Sequence, residues 1–270
     1  YSLAGDVSSQ FFTGLLMTLP LLDGDSVLRS TTPLESASYV DMTLDCLRQH
    51  GIVIEKEQDG FYRIPGNQHY RPGTYVVEGD YSQAAFWLSA GSLGRAICCT
   101  GLRSQSSQGD EVIVSLIRDM GGQVEGKTEL TSSPSELAGR VIDVEDCPDL
   151  VPVLTVLASC AKGITRIIHA GRVRLKECDR LHAMATELNK IGGDIEEEAE
   201  GLIIHGVGGF TGGTVSGWND HRIAMALAVA SQRCSQPLRI EGAECVRKSY
   251  PEFWQDFQAL GGMIQKEGEE

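Results

Sequence analysis

The strongest constraint on this chain is a repeat. Four times a helix-like segment runs into a glycine and then into a short extended stretch. Gln49-His50-Gly51 leads to Ile52-Val53-Ile54-Glu55, and Asp119-Met120-Gly121-Gly122 leads to Gln123-Val124-Glu125. Lys190-Ile191-Gly192-Gly193 leads to Asp194-Ile195-Glu196, and Ala259-Leu260-Gly261-Gly262 leads to Met263-Ile264-Gln265. The first glycines stand 70, 71 and 69 residues apart. That interval is too long for a solenoid of helix pairs and suits a small subdomain copied about an axis.

Before each glycine lies a helix with one apolar face: Val40, Leu44, Leu47; Ile113, Leu116, Ile117, Met120; Leu181, Met184, Leu188, Ile191; Phe253, Phe257, Leu260. The spacing follows a 3.6-residue period, and the glycine supplies a left-handed cap. Upstream in each copy a second helix is apolar almost all round, over 11–22, 82–90, 151–161 and 223–230, which predicts a buried helix. Each opens on a polar cluster, Ser8-Ser9-Gln10, Asp80-Tyr81-Ser82, Pro148-Asp149 or Asn219-Asp220-His221-Arg222, with Ser9, Ser82, Asp149 and Asp220 as the expected N-cap anchors. With β-rich runs such as Ala96–Cys99 and Thr165–Ile168 between the helices, the copy reads strand, buried helix, strand, amphipathic helix, strand, strand: an α/β fold of repeated βαβαββ units.

Hydrophobic content of 41% and charged content of 22% are those of a globular domain with ample core. No apolar run approaches about 18 residues, which argues against a membrane helix. Eight cysteines without a Cys-x-x-Cys pair predict buried free thiols in a reducing cytoplasm, not disulfides or a zinc site. A net charge of −14 argues against a nucleic-acid surface. Yet cations crowd at Arg172, Arg174, Lys176 and Arg180, at Arg222, and at Arg247 and Lys248, which in an acidic chain suggests a focused pocket for a small anion. Glu196-Glu197-Glu198 and the tail Glu267 to Glu270 read as solvated faces. The chain opens on Tyr1-Ser2-Leu3-Ala4-Gly5 without a methionine, one step before a helix cap, and reads as the continuation of something longer.

Ser8-Ser9-Gln10-Phe11, Lys176-Glu177-Cys178-Asp179-Arg180, Asp220-His221-Arg222-Ile223-Ala224-Met225 and Lys248-Ser249-Tyr250-Pro251, supported by Gly79-Asp80, Gln108-Gly109-Asp110 and Pro148-Asp149, occur in one order along the whole chain. Together they resemble the 3-phosphoshikimate 1-carboxyvinyltransferases, the enolpyruvyl-shikimate-phosphate synthases of aromatic amino-acid biosynthesis. The resemblance implies two domains of three βαβαββ units each around a pseudo-threefold axis, an inside-out α/β barrel, with buried helices aiming their N-termini at anionic ligands. Members carry about 160 further residues ahead of the position matching Tyr1. On that basis residues 1–76 are expected to be the last unit of the first domain and residues 77–270 the second domain, with the boundary near Arg71-Pro72-Gly73.

The implied reaction transfers the enolpyruvyl group of phosphoenolpyruvate to the 5-hydroxyl of shikimate 3-phosphate and releases phosphate, with no metal or organic cofactor. By the same resemblance Arg180, His221, Arg222, Lys248 and Gln10 would hold phosphoenolpyruvate. Ser8, Ser9, Gln10, Ser36, Tyr39, Asp149, Arg172 and Lys176 would hold shikimate 3-phosphate. Asp149 would be the base on the hydroxyl and Glu177 the proton donor to carbon, with Lys176 sharing the proton traffic. A carboxylic acid donates at neutral pH only where its surroundings raise its pKa, so this role anticipates a raised Glu177. Departures from the family pattern are Arg172 for a common asparagine, Ala37-Ser38 for a basic-proline pair, and Cys178 for Ser or Thr. Alternatives are the enolpyruvyl transferase acting on UDP-N-acetylglucosamine, and a non-catalytic half whose partner is the missing N-terminal segment in trans. Neither nucleic acid nor membrane is an expected partner.

Overall fold

The structure is a computed structural model that describes residues 1–266. The acidic stretch from Glu267 to Glu270 lies outside the described residues. Contacts divide the chain into two compact units: Tyr1–Glu78 with Arg103–Glu111 and Glu145–Cys147, and Gly79–Leu102 with Val112–Val144 and Pro148–Glu270.

The first unit runs β1 (Ser2–Leu3), α1 (Ser9–Thr18), β2 (Ser26–Ser30), α2 (Ala37–Gln49), β3 (Glu55–Gln58), β4 (Phe61–Ile64). Its sheet has the order β1-β2-β4-β3, with β1 and β2 parallel and the other pairs antiparallel. The core gathers Phe12, Leu16 and Leu19 from the first helical stretch, Val40, Leu44 and Leu47 from α2, and Leu28, Tyr62 and Ile64 from the sheet.

The second unit runs α3 (Tyr81–Leu93), β5 (Ile97–Cys99), α4 (Ile113–Asp119), β6 (Gln123–Glu125), β7 (Leu130–Ser133), β8 (Val141–Asp143), α5 (Val151–Cys160), β9 (Ile164–Ile168) and α6 (Arg180–Lys190). It continues through β10 (Asp194–Glu198), β11 (Gly201–His205), β12 (Gly213–Ser216), α7 (His221–Ser231), β13 (Leu238–Glu241) and α8 (Phe253–Ala259). The stretch β8-α5-β9-α6-β10-β11 has the sheet order β8-β9-β11-β10, again with one parallel pair followed by two antiparallel ones. It is the topology of the first unit copied. Among the described residues the copy built on α3 lacks the leading strand, and the copy built on α7 lacks the last two.

The repeat therefore has a structural cause. Gly51, Gly121, Gly192 and Gly261 take φ of 80°, 96°, 95° and 98°, the left-handed geometry that ends a helix without steric cost. Helices α3, α5 and α7 pack on one another, and almost every side chain on them is buried, with the sheets outside. Each fully buried Leu or Val there contributes about 1.5–3 kcal/mol. Gly91 is what lets α3 lie against β7: a Cβ there would sit 2.8 Å from the Ser132 carbonyl oxygen.

Several expectations are corrected. Helix α1 is not buried all round: Phe11 and Met17 are exposed, as are Leu21 and Leu22 just beyond it, because the first unit has no α3–α5–α7 triad to enclose that face. Leu260 on the last amphipathic face is exposed too, and no strand follows Gly261 among the described residues. The strand after Gly51 begins at Glu55, three residues late. The eight cysteines are free, but Cys147 alone is fully buried, while Cys46 and Cys98 are exposed. The acidic run 196–198 is ion-paired as well as solvated: Glu197 binds Arg174 and His182, and Glu198 binds Arg166.

Candidate active site

Helix starts decide the geometry. Ser8 caps α1, its Oγ accepting from the Gln10 N–H, with Ser9 the first helical residue. Asp80 rather than Ser82 caps α3, and Asp220 caps α7, accepting the Arg222 N–H at 2.9 Å. The start of α5 differs. Leu150 occupies its cap position without a side-chain bond, while Asp149 sits in a 3-10 turn.

The Asp149 carboxylate instead meets cations from two other helix starts. Arg180, the first residue of α6, donates from Nη1 to Asp149 Oδ1 at 2.8 Å, and Arg222, in the first turn of α7, places Nη2 3.0 Å from Oδ2. Lys176 Nζ stands 3.6 Å from Oδ1. Arg180 is 1% exposed and divides its donors among three carboxylates: Asp149, Glu177 at 2.8 Å from Nη2, and Asp220 at 2.7 Å from Nε. Lys248, at the end of the 3-10 turn Ala243–Lys248, donates to Glu177 Oε1 at 2.5 Å. Within this ion-pair cluster four cations face three carboxylates. Arg222 is buried with Nη1 lacking a partner. Glu177 and Lys248 of the cluster also line a cleft of about 310 Å³, together with Asn219, Glu244 and Cys245.

Two arginines in the first turns of helices oppose the positive end of the helix dipole. The three carboxylates offset this, and their own protonation follows from it. Burial alone would push the Asp149 carboxyl up, but the charges of Arg222, Lys176 and Arg180 hold it well below the usual carboxylate range. Glu177 behaves likewise: burial opposes, yet the Lys248 hydrogen bond and the Arg180 charge lower it to about 2. This is the reverse of the raised value anticipated from the sequence, because Lys248 and Arg180 bond the Glu177 carboxylate directly and favour its charged form. His221 is pushed below its ordinary value by burial and by the Arg222 charge, and so is neutral at pH 7.

Seven of the residues singled out from sequence thus gather in the second unit: Asp149, Lys176, Glu177, Arg180, His221, Arg222 and Lys248. Arg172 lies in the 3-10 turn that precedes Lys176. Arg174 belongs elsewhere, bonded to Asp179 and Glu197, and Arg247 is exposed. In the first unit Ser8, Ser9 and Gln10 form the start of α1, while Ser36 is buried in a left-handed conformation (φ 52°) at the start of α2 and its carbonyl accepts the Tyr39 N–H. With four cations to three carboxylates, the second-unit cluster carries a surplus of positive charge.

A family model for EPSP synthase (3-phosphoshikimate 1-carboxyvinyltransferase) matches residues 1–257. The chain belongs to the EPSP synthase family. A 3-phosphoshikimate 1-carboxyvinyltransferase of Clostridium kluyveri is 54% identical over 265 residues, covering 98% of this chain and 62% of that protein. The one from Clostridium acetobutylicum is 51% identical over 264 residues, covering 98% of this chain and 61% of the relative. An EPSP synthase structure from Acinetobacter baumannii superposes with a TM-score of 0.85 at 26% identity, over 98% of this chain and 63% of that one. The chain thus spans about 62% of the length of the curated relatives it matches. Its α/β architecture is that of the EPSP synthase fold.

One acid of this EPSP synthase family chain does more than its place in the sequence suggests. Asp220 was legible only as a cap, yet it is fully buried and bonds Arg180 as well as the start of α7. The signal was available in the adjacency of an acid to His221-Arg222 inside an anion-binding motif. Nothing in the sequence pointed to Glu244 or Cys245 as cleft walls.

Proposed function

We propose that this chain supplies the phosphoenolpyruvate-binding and proton-transfer groups for enolpyruvyl transfer to the 5-hydroxyl of shikimate 3-phosphate, with release of phosphate. The observation that carries the reading is the meeting of the starts of α5, α6 and α7 in one cluster of four cations and three carboxylates beside a cleft. The relatives' names give the reaction class.

Both substrates are anionic at phosphate and carboxylate. Arg180, Arg222 and Lys248 would bind phosphoenolpyruvate, the arginines through paired N–H donors. Ser8, Ser9, Gln10, Ser36, Tyr39 and Arg172 would complete the shikimate 3-phosphate contacts with Asp149 and Lys176, and Gln10 would touch both ligands. As substrate anions draw Lys248 and Arg180 away from Glu177, its pKa rises and it becomes able to carry a proton. Glu177 then gives that proton to the methylene carbon while the hydroxyl oxygen bonds to the adjacent carbon and Asp149 takes the hydroxyl proton. Phosphate leaves from that carbon as the new methyl group returns a proton and the double bond re-forms. We assign residues 1–76 and 77–270 to separate domains, and assign further ligand contacts to the part of the relatives' length this chain does not span, supplied in the same chain or as a partner. Among the described residues no helix is long and apolar enough to cross a membrane, and eight free thiols accord with the cytoplasm.

Calorimetric titration with phosphoenolpyruvate in the presence of shikimate 3-phosphate tests the assignment. Saturable binding that Arg222→Ala weakens at least about tenfold, the loss of one bidentate anion contact, is expected. Binding of UDP-N-acetylglucosamine but not shikimate 3-phosphate overturns it. Without the remaining contacts the chain alone should release little phosphate from the two substrates.

A further inference from the structure

The turn that feeds α7 is held in a conformation its residues do not choose. Trp218 and Asn219 are consecutive with φ of 52° and 53°, both left-handed. Asparagine tolerates that region, but a bulky tryptophan rarely enters it. A single side chain from α6 grips this turn. Glu187 is 1% exposed, its Oε1 accepting the Trp218 indole N–H at 2.6 Å and its Oε2 accepting the Ser216 backbone N–H at 3.0 Å. Lys190 Nζ donates to both oxygens, at 2.8 and 2.9 Å, and balances the charge. Ser216 Oγ accepts the Trp218 backbone N–H at 3.1 Å, and the indole edge meets the His182 ring at 5.6 Å.

No slack separates this grip from the anion cluster. The Asp220 N–H returns to the Gly217 carbonyl at 2.9 Å, and Asp220, His221 and Arg222 follow at once. The dihedral angles of residues 218 and 219 therefore set the direction in which the chain enters α7. They set, with it, where Arg222 meets Asp149 and where Asn219 lines the cleft. Glu187 itself is not among the cleft's walls.

We propose that Glu187 is a positioning residue of the anion site: through the Trp218 indole it holds the left-handed turn that aims Asn219 at the cleft and Arg222 at Asp149. This rests on the reading of that cleft as the phosphoenolpyruvate site. The position has a sequence logic, since Arg180, Met184, Glu187 and Ile191 recur on one face of α6. A carboxylate on a buried helical face is retained against its desolvation only where partners satisfy it.

The test compares the parent chain with Glu187→Gln, Trp218→Phe, Trp218→Gly and the Glu187→Gln/Trp218→Gly pair. Phosphoenolpyruvate titration is read beside amide hydrogen exchange at residues 220–222 and the urea midpoint. Glu187→Gln is expected to weaken binding about tenfold and to speed exchange at 220–222, and Trp218→Phe, which removes the indole N–H together with part of the ring, to do the same more mildly. Glycine adopts the left-handed region freely. In the Trp218→Gly background Glu187→Gln should therefore change affinity less than about twofold. An equal penalty in both backgrounds, tracking the urea midpoint, marks a merely structural role and overturns the proposal. So does unchanged affinity and exchange in Glu187→Gln, or in Trp218→Phe should the glutamine variant fail to fold. If the parent binds no phosphoenolpyruvate, the reading of the site fails instead. The exchange rates at 220–222 then decide the positioning role: acceleration in the parent background without further acceleration in the glycine background supports it, and any other pattern overturns it.

Discussion

Replacing Asp220 is expected to show how much of the second unit's stability hangs on the anion cluster. Asp220 is fully buried, accepts the Arg222 N–H that opens α7, and bonds the 1%-exposed Arg180 at 2.7 Å. Asp220→Ala removes the helix cap, costing about 1 kcal/mol. It also leaves a buried guanidinium short of a charged partner, which costs about 3–5 kcal/mol when one member of a buried pair is deleted. Arg180 keeps Asp149 and Glu177, so the lower end applies and the sum is about 4 kcal/mol. Asp220→Asn keeps the cap, because asparagine caps as well as aspartate, and keeps an oxygen for Arg180, losing only the charge at about 2 kcal/mol. The three tryptophans, Trp87, Trp218 and Trp254, all lie in the second unit, so urea unfolding followed by their emission reports that unit alone. With a urea m-value of about 2–3 kcal/mol per M, the alanine variant should lose about 1.3–2 M in midpoint and the asparagine variant about half of that. A shift below about 0.5 M for alanine, or an asparagine variant as unstable as alanine, would refute the reasoning.

The same cluster sets a pH dependence. Asp149 and Glu177 have folded values below their unfolded ones, with Glu177 at about 2, so their contribution is fully present above the unfolded carboxylate range near about pH 4 and is lost as pH falls through the folded values. Melting temperature should therefore drop steeply from about pH 5 towards pH 2, and Glu177→Gln should flatten part of that drop, whereas a flat parent profile contradicts the assignment. Hydrogen exchange should separate the two units. Amides of α1, with Phe11 and Met17 exposed, are expected to exchange at least about tenfold faster than those of α7, which is buried along its length. Equal protection in the two helices would show that the first unit is as stable as the second.

Much of this molecule was legible because the repeat repeats its punctuation. Each helix-ending glycine needs a left-handed backbone, and that need is visible in a sequence because other residues meet it at a cost. The 3.6-residue periods of α2, α4 and α6 were equally plain, since burial on one face writes itself into composition. What composition cannot encode is which neighbour covers an apolar helix. Phe11 and Phe86 look alike in sequence, but Phe86 is enclosed by the packed helices of its unit while Phe11 is not.

The site illustrates a second limit, and a reason for it. An acid ahead of an apolar helix is ordinarily a cap, and that expectation holds for Asp220, while at α3 the cap falls to Asp80 in place of the expected Ser82. At α5 the cap position falls to Leu150, and the carboxylate is drawn to three cations instead. The trade is intelligible only across helices, because Arg180 comes from the start of α6 in the same copy of the repeat and Arg222 from the start of α7 in the next. The three helix starts carry different groups: an acid-bearing turn ahead of α5, a cation held by three carboxylates at α6, and at α7 a side-chain cap with a partly unpartnered arginine. A single charge near one helix end is worth about 0.3–1 kcal/mol in water. Brought together and buried, such groups shift one another's pKa, as the lowered Asp149 and Glu177 carboxylates show, and no single helix start could do that alone.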